Sequence, residues 1–173
     1  MSAQGNEVMV FAPKLNGSER VKVEGVKLEF IPSIPAFVYP DTRIGLISPK
    51  LIKKIRDFNP DIIHVTTPGT LGLMGLMFSR ILDIPVVGAF HGYFMTPEYL
   101  EIVGIKKITK PFEKMLWRIA RDFYNKCDLV VTPSQYVKQD LVEHEFEAPI
   151  KVIRNAVDIH ADEVDDTMLN DFK

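Results

Sequence analysis

FNPDIIHVTTPGTLG, residues 58–72, decides how the rest of the chain is read. Asn59-Pro60-Asp61 is turn chemistry, and the run Ile62, Ile63, His64, Val65 after it is β-branched and too short for a helix. Thr66–Gly69 interrupts that run, and Thr70–Leu82 then stays apolar over a helix-length stretch. A strand, a polar loop and a helix in that order open a βαβ unit, in which the next strand lies parallel to the first.

The same alternation runs outward in both directions. Strands are expected at Glu7–Ala12, Val26–Ile31, Asp61–Val65, Pro85–Ala89, Asp128–Thr132 and Ile150–Ile153. Runs such as IIHV, VVGAF and LVVT are apolar throughout, as strands covered on both faces are. Ser48-Pro49 starts a helix through KLIKKIRDF, Pro111 opens FEKMLWRIARDFYNK, and Ser134 caps QYVKQDLVEHEF. Thr70–Leu82 is apolar enough to be buried on most sides. Pro32–Pro49, with prolines at 32, 35, 40 and 49, reads as a loop. The expected fold is α/β, a Rossmann-like parallel sheet with helices on both faces.

With 173 residues, 46% of them hydrophobic and 25% charged, the chain can bury one core. A formal charge of -2 is too balanced for a surface devoted to nucleic acid. Cys127 is the sole cysteine, which rules out an internal disulfide and suits a reducing cytosol, and no Cys/His spacing suggests a metal. The start, MSAQGNEVMVFAP, lacks a signal peptide's basic and apolar regions, and no apolar run reaches the roughly 18 residues of a membrane span. A cytoplasmic protein, soluble or peripheral at the inner face of a membrane, is expected. Gly5-Asn6 reads as the stop of a helix that scarcely precedes it, and Ala161–Lys173 reads as an acidic linker toward a further domain.

In open parallel sheets ligands sit outside the carboxyl ends of the strands. Four such ends are polar here: His64 with Thr66, Thr67 and Gly69; His91 with Gly92 and Tyr93; Thr132 with Ser134; and Arg154 with Asn155 and Asp158. His91 is the catalytic candidate, since an imidazole past a strand end can donate or accept a proton near neutrality; a histidine satisfying nearby backbone groups is the alternative. His64, inside a strand, reads as a core histidine, and His144 and His160 as surface residues. Gly69-Thr70 could present backbone amides to a phosphate, although TTPGTLG has neither the spacing of GxGxxG nor a Walker lysine. Thr132-Pro133-Ser134 reads equally as strand exit with helix cap.

Between Gly104 and Lys126 stand seven basic residues, Lys106, Lys107, Lys110, Lys114, Arg118, Arg121 and Lys126, against Glu113 and Asp122. Ile105, Ile108, Phe112, Met115, Ile119 and Phe123 recur at helical spacing beside them. Such a helix either docks on the sheet by this stripe with its charges in water, or lies on anionic lipid.

The series FNPDIIHVTTPGTLG, IPVVGAFHGYF, YNKCDLVVTPSQYVKQDL and IKVIRNAVD, in that order and spacing, resembles the N-terminal domain of family 4 retaining glycosyltransferases of the GT-B fold, over Gly5 to Asp158. The resemblance implies a Rossmann-like acceptor domain over 1–160, a linker over 161–173, and catalysis in a cleft facing a C-terminal donor domain. It implies that His91 lies beside the donor sugar, that Thr66, Thr67, Tyr93 and Ser134 line the acceptor side, and that Asn155 and Asp158 match the family's NGVD segment, whose glycine is Ala156 here. It implies a nucleotide sugar and an acceptor as substrates, with no metal and no resident cofactor, and leans toward lipid acceptors. The family's first strand, its glycine-rich loop and its donor half have no counterpart in the sequence, so strong donor affinity is not expected. A non-catalytic flavodoxin-like binding module, and a subunit pairing with a separate donor domain, remain as rival readings.

Overall fold

The computed structural model describes residues 4–15, 21–36, 39–46, 48–93, 95–102 and 109–155. Its centre is a four-stranded parallel sheet of β5 (Ile63–Val65), β6 (Val86–Ala89), β7 (Leu129–Thr132) and β8 (Ile150–Val152), adjacent in chain order. Each is joined to the next across a helix: α2 (Thr70–Leu82), then α3 (Pro97–Ile102) with α4 (Lys110–Tyr124), then α5 (Gln135–Glu143). The architecture is the expected α/β one. Upstream, β1 (Val8–Pro13) pairs in parallel with β2 (Val26–Ile31), and α1 (Pro49–Phe58) leads into β5.

The loop expected across Pro32–Pro49 is a correction. Those residues hold an antiparallel hairpin of β3 (Ser33–Ala36) and β4 (Tyr39–Gly45), with a register shift between Pro35 and Ala36. Proline is tolerated in a strand at an edge or bulge, where its missing donor breaks no ladder, so the prolines marked an irregular ribbon instead of a loop.

Caps account for the helix starts. Lys50 N–H donates to the Ser48 hydroxyl at 3.4 Å and Val137 N–H to that of Ser134 at 3.2 Å. Helices α1 and α2 stop at residues in the left-handed conformation, Asn59 at φ 51° and Asp83 at φ 55°. Helix α2 bridges two apolar clusters. Met74 and Phe78 join Ile31, Leu51 and Ile55, while Leu76 joins Val65, Val86, Phe90, Phe123, Tyr124 and Leu141. It is not buried on most sides, however: Leu73, Met77 and Ile81 are 50%, 42% and 56% exposed along one stripe.

The sheet and α4 lock together at a glycine. A Cβ on Gly88 would lie 2.8 Å from both Cys127 Sγ and a Tyr124 ring carbon. The vacancy that glycine leaves is filled by Tyr124, and this sets the rotation of α4. Its buried face is therefore Ala120, Phe123 and Tyr124, with Leu116 and Trp117 packed beside them. The expected stripe holds at Phe123, which is buried, and fails at Met115 and Ile119, which are 46% and 45% exposed. Ile105 and Ile108 lie outside the described residues.

Candidate functional site

Because β5 to β8 are parallel neighbours, their carboxyl ends line one edge of the sheet. Thr66 and Thr67 follow β5, His91 and Gly92 follow β6, Ser134 follows β7, and Arg154 and Asn155 follow β8. Thr66, Thr67, His91, Gly92 and Asn155 are exposed there, and Gly69 caps α2 with an extended backbone. Asp158 and His160 lie outside the described residues, as do Lys106 and Lys107 of the basic patch and the expected linker 161–173. Lys110, Lys114 and Arg118 stand exposed on α4.

Beneath this edge is an aromatic floor. Phe90 is 1% exposed and meets Tyr93, Tyr124 and Phe146 edge-on, with ring centroids 5.5, 5.4 and 6.1 Å apart. The Tyr124 hydroxyl lies 3.2 Å from the Thr66 and Ala89 carbonyl oxygens and donates between them, tying the exits of β5 and β6 together. Burial pushes its phenol well above the usual range, so it stays a protonated donor at all ordinary pH. Thr132 is 1% exposed and its hydroxyl has no hydrogen-bond partner among the described residues.

His64 departs from the expectation of a core residue. Ile63 and Val65 flank it on the strand face that meets α2, where a Cβ on Gly75 would lie 2.6 Å from Val65, so the alternation turns His64 to the other face, and it is exposed. Partial desolvation and then the charge of His91 lower its pKa, and solvent still reaches the ring and screens the pair. The two imidazoles thus belong to one end of the sheet. No group of three His, Cys, Asp or Glu among the described residues could hold a metal ion.

Tyr93 turns elsewhere. Its ring packs edge-on to Trp117, 6.2 Å between centroids, and lines a cleft between α4 and α5. His144, read from sequence as a surface residue, is half-buried and stacked on Trp117 at 3.5 Å and 12°. Tyr124 and this cleft were missed. The available signal for Tyr124 was its helical spacing from Leu116 and Ala120 on α4.

The family model for Glycosyltransferase Family 4 matches residues 1–161. The chain belongs to that family. Among curated relatives, this Family 4 chain is 31% identical over 111 residues to the sulfoquinovosyl transferase SQD2 of Arabidopsis thaliana, covering 64% of this chain and 21% of that protein. It is 26% identical over 160 residues to an alpha-monoglucosyldiacylglycerol synthase of Streptococcus pneumoniae, covering 92% and 35%. It is 26% identical over 144 residues to a GDP-mannose-dependent alpha-mannosyltransferase of Mycolicibacterium smegmatis, covering 81% and 36%. The chain thus spans between a fifth and about a third of the length of these relatives.

Proposed function

We propose that this chain is the acceptor-side domain of a retaining glycosyltransferase that moves a hexosyl group from a nucleotide sugar to a hydroxyl of a lipid acceptor. The observation that carries the reading is His91, exposed at the carboxyl end of β6 in a Family 4 chain, with the polar ends of β5, β7 and β8 on either side. An imidazole there can hold a donor-sugar hydroxyl and stabilise charge as the bond to the leaving phosphate lengthens. Thr66, Thr67, Gly92, Ser134 and Asn155 supply hydroxyl, amide and backbone groups for orientation, and Tyr124 fixes the loops that present them. Arg154 alone is a cation directly at these described strand ends, so the diphosphate of the donor is met chiefly by residues beyond this span. The nucleotide sugar is a substrate, and the reading includes no resident cofactor or metal.

Lipid as the acceptor draws support from the relative that is a monoglucosyldiacylglycerol synthase and from α4, whose exposed Met115 and Ile119 stand beside Lys114 and Arg118. An anionic, cytoplasm-facing membrane surface is the matching partner.

The test is His91→Ala in the gene product that carries this chain, assayed with nucleotide-sugar donors and a diacylglycerol-type acceptor. Losing a preorganised donor should lower kcat by about 10²–10³ with the melting temperature unchanged. Normal kcat would return His91 to a structural role. The anomeric configuration of the product reads retention directly.

A further inference from the structure

Helix α2 lies between α1 and α4. Met74 and Phe78 turn one of its sides to Leu51 and Ile55 of α1, Gly75 meets Val65 of the sheet, and Gly72 meets Phe123 of α4. At its far end Arg80 donates to the Lys126 carbonyl at 2.7 Å. With those sides taken, α2 turns Leu73, Met77 and Ile81 outward, each roughly half exposed. On α4, Ile119 stands one turn before Phe123 and Met115 one turn before that, so both lie on the flank that faces α2, while Trp117 turns to His144 on the other flank. One exposed apolar band therefore crosses two helices. Its rim is mainly cationic. Lys54 pairs with Glu29 of β2 and marks the far side of α1, so Arg56, about 200° further round that helix, stands on the side of α2. Lys53, Arg56, Arg80 and Lys126 are exposed, and none has an ion pair among the described residues. The acids nearby are Asp57, Asp83 and Asp122, and Asp122 lies 3.8 Å from Arg118.

We infer that the outward stripe of α2 inserts into the surface of an anionic lipid layer, as a second ridge beside α4. The exposed side chains of the band are all aliphatic or thioether, whereas protein partners are held chiefly by Trp, Tyr and Arg anchors. A second copy seated on the same band would bring its cations against their like, while a layer of anionic headgroups neutralises them. The stems of Lys53 and Lys126 are long enough to follow the apolar ridges and hold their ammonium groups at headgroup level. The band also has a direction. Leu73 lies in the first turn of α2, directly after the loop of Thr66 and Thr67, so the band runs up to the carboxyl edge of the sheet. A chain lying on lipid by this face presents that edge to the headgroups, and a lipid hydroxyl reaches it with the tails still in the layer. The inference deepens the lipid-acceptor reading and rests on it for the chemistry of the partner; the insertion of α2 itself does not depend on the transfer chemistry.

Cys127 is buried, and burial pushes its thiol up to about 11, so a thiol-reactive, polarity-sensitive dye labels an introduced cysteine in preference to it. Met77→Cys carries the dye on the stripe. Lys151→Cys is the control, since Ile150 packs into the core and the alternation turns the exposed Lys151 to the other face of the sheet. With vesicles containing phosphatidylglycerol the emission at Met77→Cys should move to shorter wavelength and that at Lys151→Cys should stay, and neither should move with phosphatidylcholine alone. Leu73→Ser with Met77→Ser and Ile81→Ser leaves the charge as it is and should lower partitioning into the anionic vesicles at least about 10-fold. Circular dichroism checks its fold; if the triple variant melts early, Met77→Ser alone replaces it, with a loss of about 3-fold expected. No shift at Met77 on vesicles that the chain does bind, an equal shift at Lys151, or full binding by the serine variant would overturn the insertion. No binding to either vesicle would overturn it together with the lipid contact of α4. A shift that appears without lipid and grows with protein concentration would give the band to a second copy instead. A shift at Met77 together with normal kcat in His91→Ala would sink the catalytic reading alone; no shift together with collapsed kcat would sink the insertion alone.

Discussion

His64 lies on β5 and His91 just past the end of the neighbouring β6, close enough for the charge of His91 to disfavour protonation of His64. Desolvation is the larger cause of the lowered His64 pKa and His91 the smaller. The sign of the linkage follows. A histidine with a folded-state pKa below the ordinary 6.5 takes up protons more readily unfolded, so its contribution to stability is present above 6.5 and is lost as pH falls toward the folded midpoint. In a proton NMR titration the His64 resonance should move with a midpoint below 6.5, and His91→Ala should raise that midpoint part of the way, because the burial remains. An unchanged midpoint in the variant would show that the rings are not coupled. His91 was legible as a polar residue after an apolar strand. His64 was not, since an apolar run such as IIHV suggests cover on both faces, whereas β5 is packed on the face of Ile63 and Val65 against α2 and leaves His64 exposed on the other.

Gly72 shows how tightly the first turn of α2 meets the loop from β5. A Cβ there would lie 1.9 Å from the Thr67 carbonyl oxygen and 2.9 Å from the tip of the Phe123 ring. The first is backbone and cannot swing aside, so Gly72→Ala must push the loop that carries Thr66 and Thr67 or tilt α2. The expected cost is about 1–3 kcal/mol, read as a fall in melting temperature of roughly 2–4 °C per kcal/mol for a chain of this size. An unchanged melting curve would mean that the loop has slack. At this scale the sequence carried most of the structure: caps at Ser48 and Ser134 and the β-branched runs locate α1, the start of α5 and the four central strands to within two residues, while α5 stops at Glu143, three residues short of the expected Phe146. It failed at two places for physical reasons. Proline density concealed the β3–β4 hairpin, whose irregular register tolerates Pro35. On helix α4 Leu116, Ala120 and Tyr124 compete with Met115 and Ile119 for the core, and the choice is made by Gly88, a residue of another element.

Seen as a whole, the molecule leaves the outer face of α4 unburied, and there apolar and cationic side chains stand together. Met115 and Ile119 lie one turn apart and are nearly half exposed. Arg118 is 3.8 Å from Asp122, and Arg121 pairs with Glu145, so part of the charge is neutralised within the protein. Lys110 and Lys114 have no ion pair among the described residues and remain available to an outside anion. A free lysine at an anionic surface contributes about 1 kcal/mol, which is too little for stable attachment by two residues without the insertion of apolar side chains. Both terms should therefore be needed. The chain should cosediment with vesicles containing phosphatidylglycerol and much less with phosphatidylcholine alone, and added salt should weaken the binding because exposed charges are screened. Lys110→Gln with Lys114→Gln keeps stem length and removes charge, and should abolish the preference for anionic lipid. Met115→Ser with Ile119→Ser keeps the charge and removes the apolar contact, and should lower binding to anionic vesicles at every salt concentration. Equal binding to both vesicle types, or binding that survives the two serines, would place the contact with lipid somewhere other than α4.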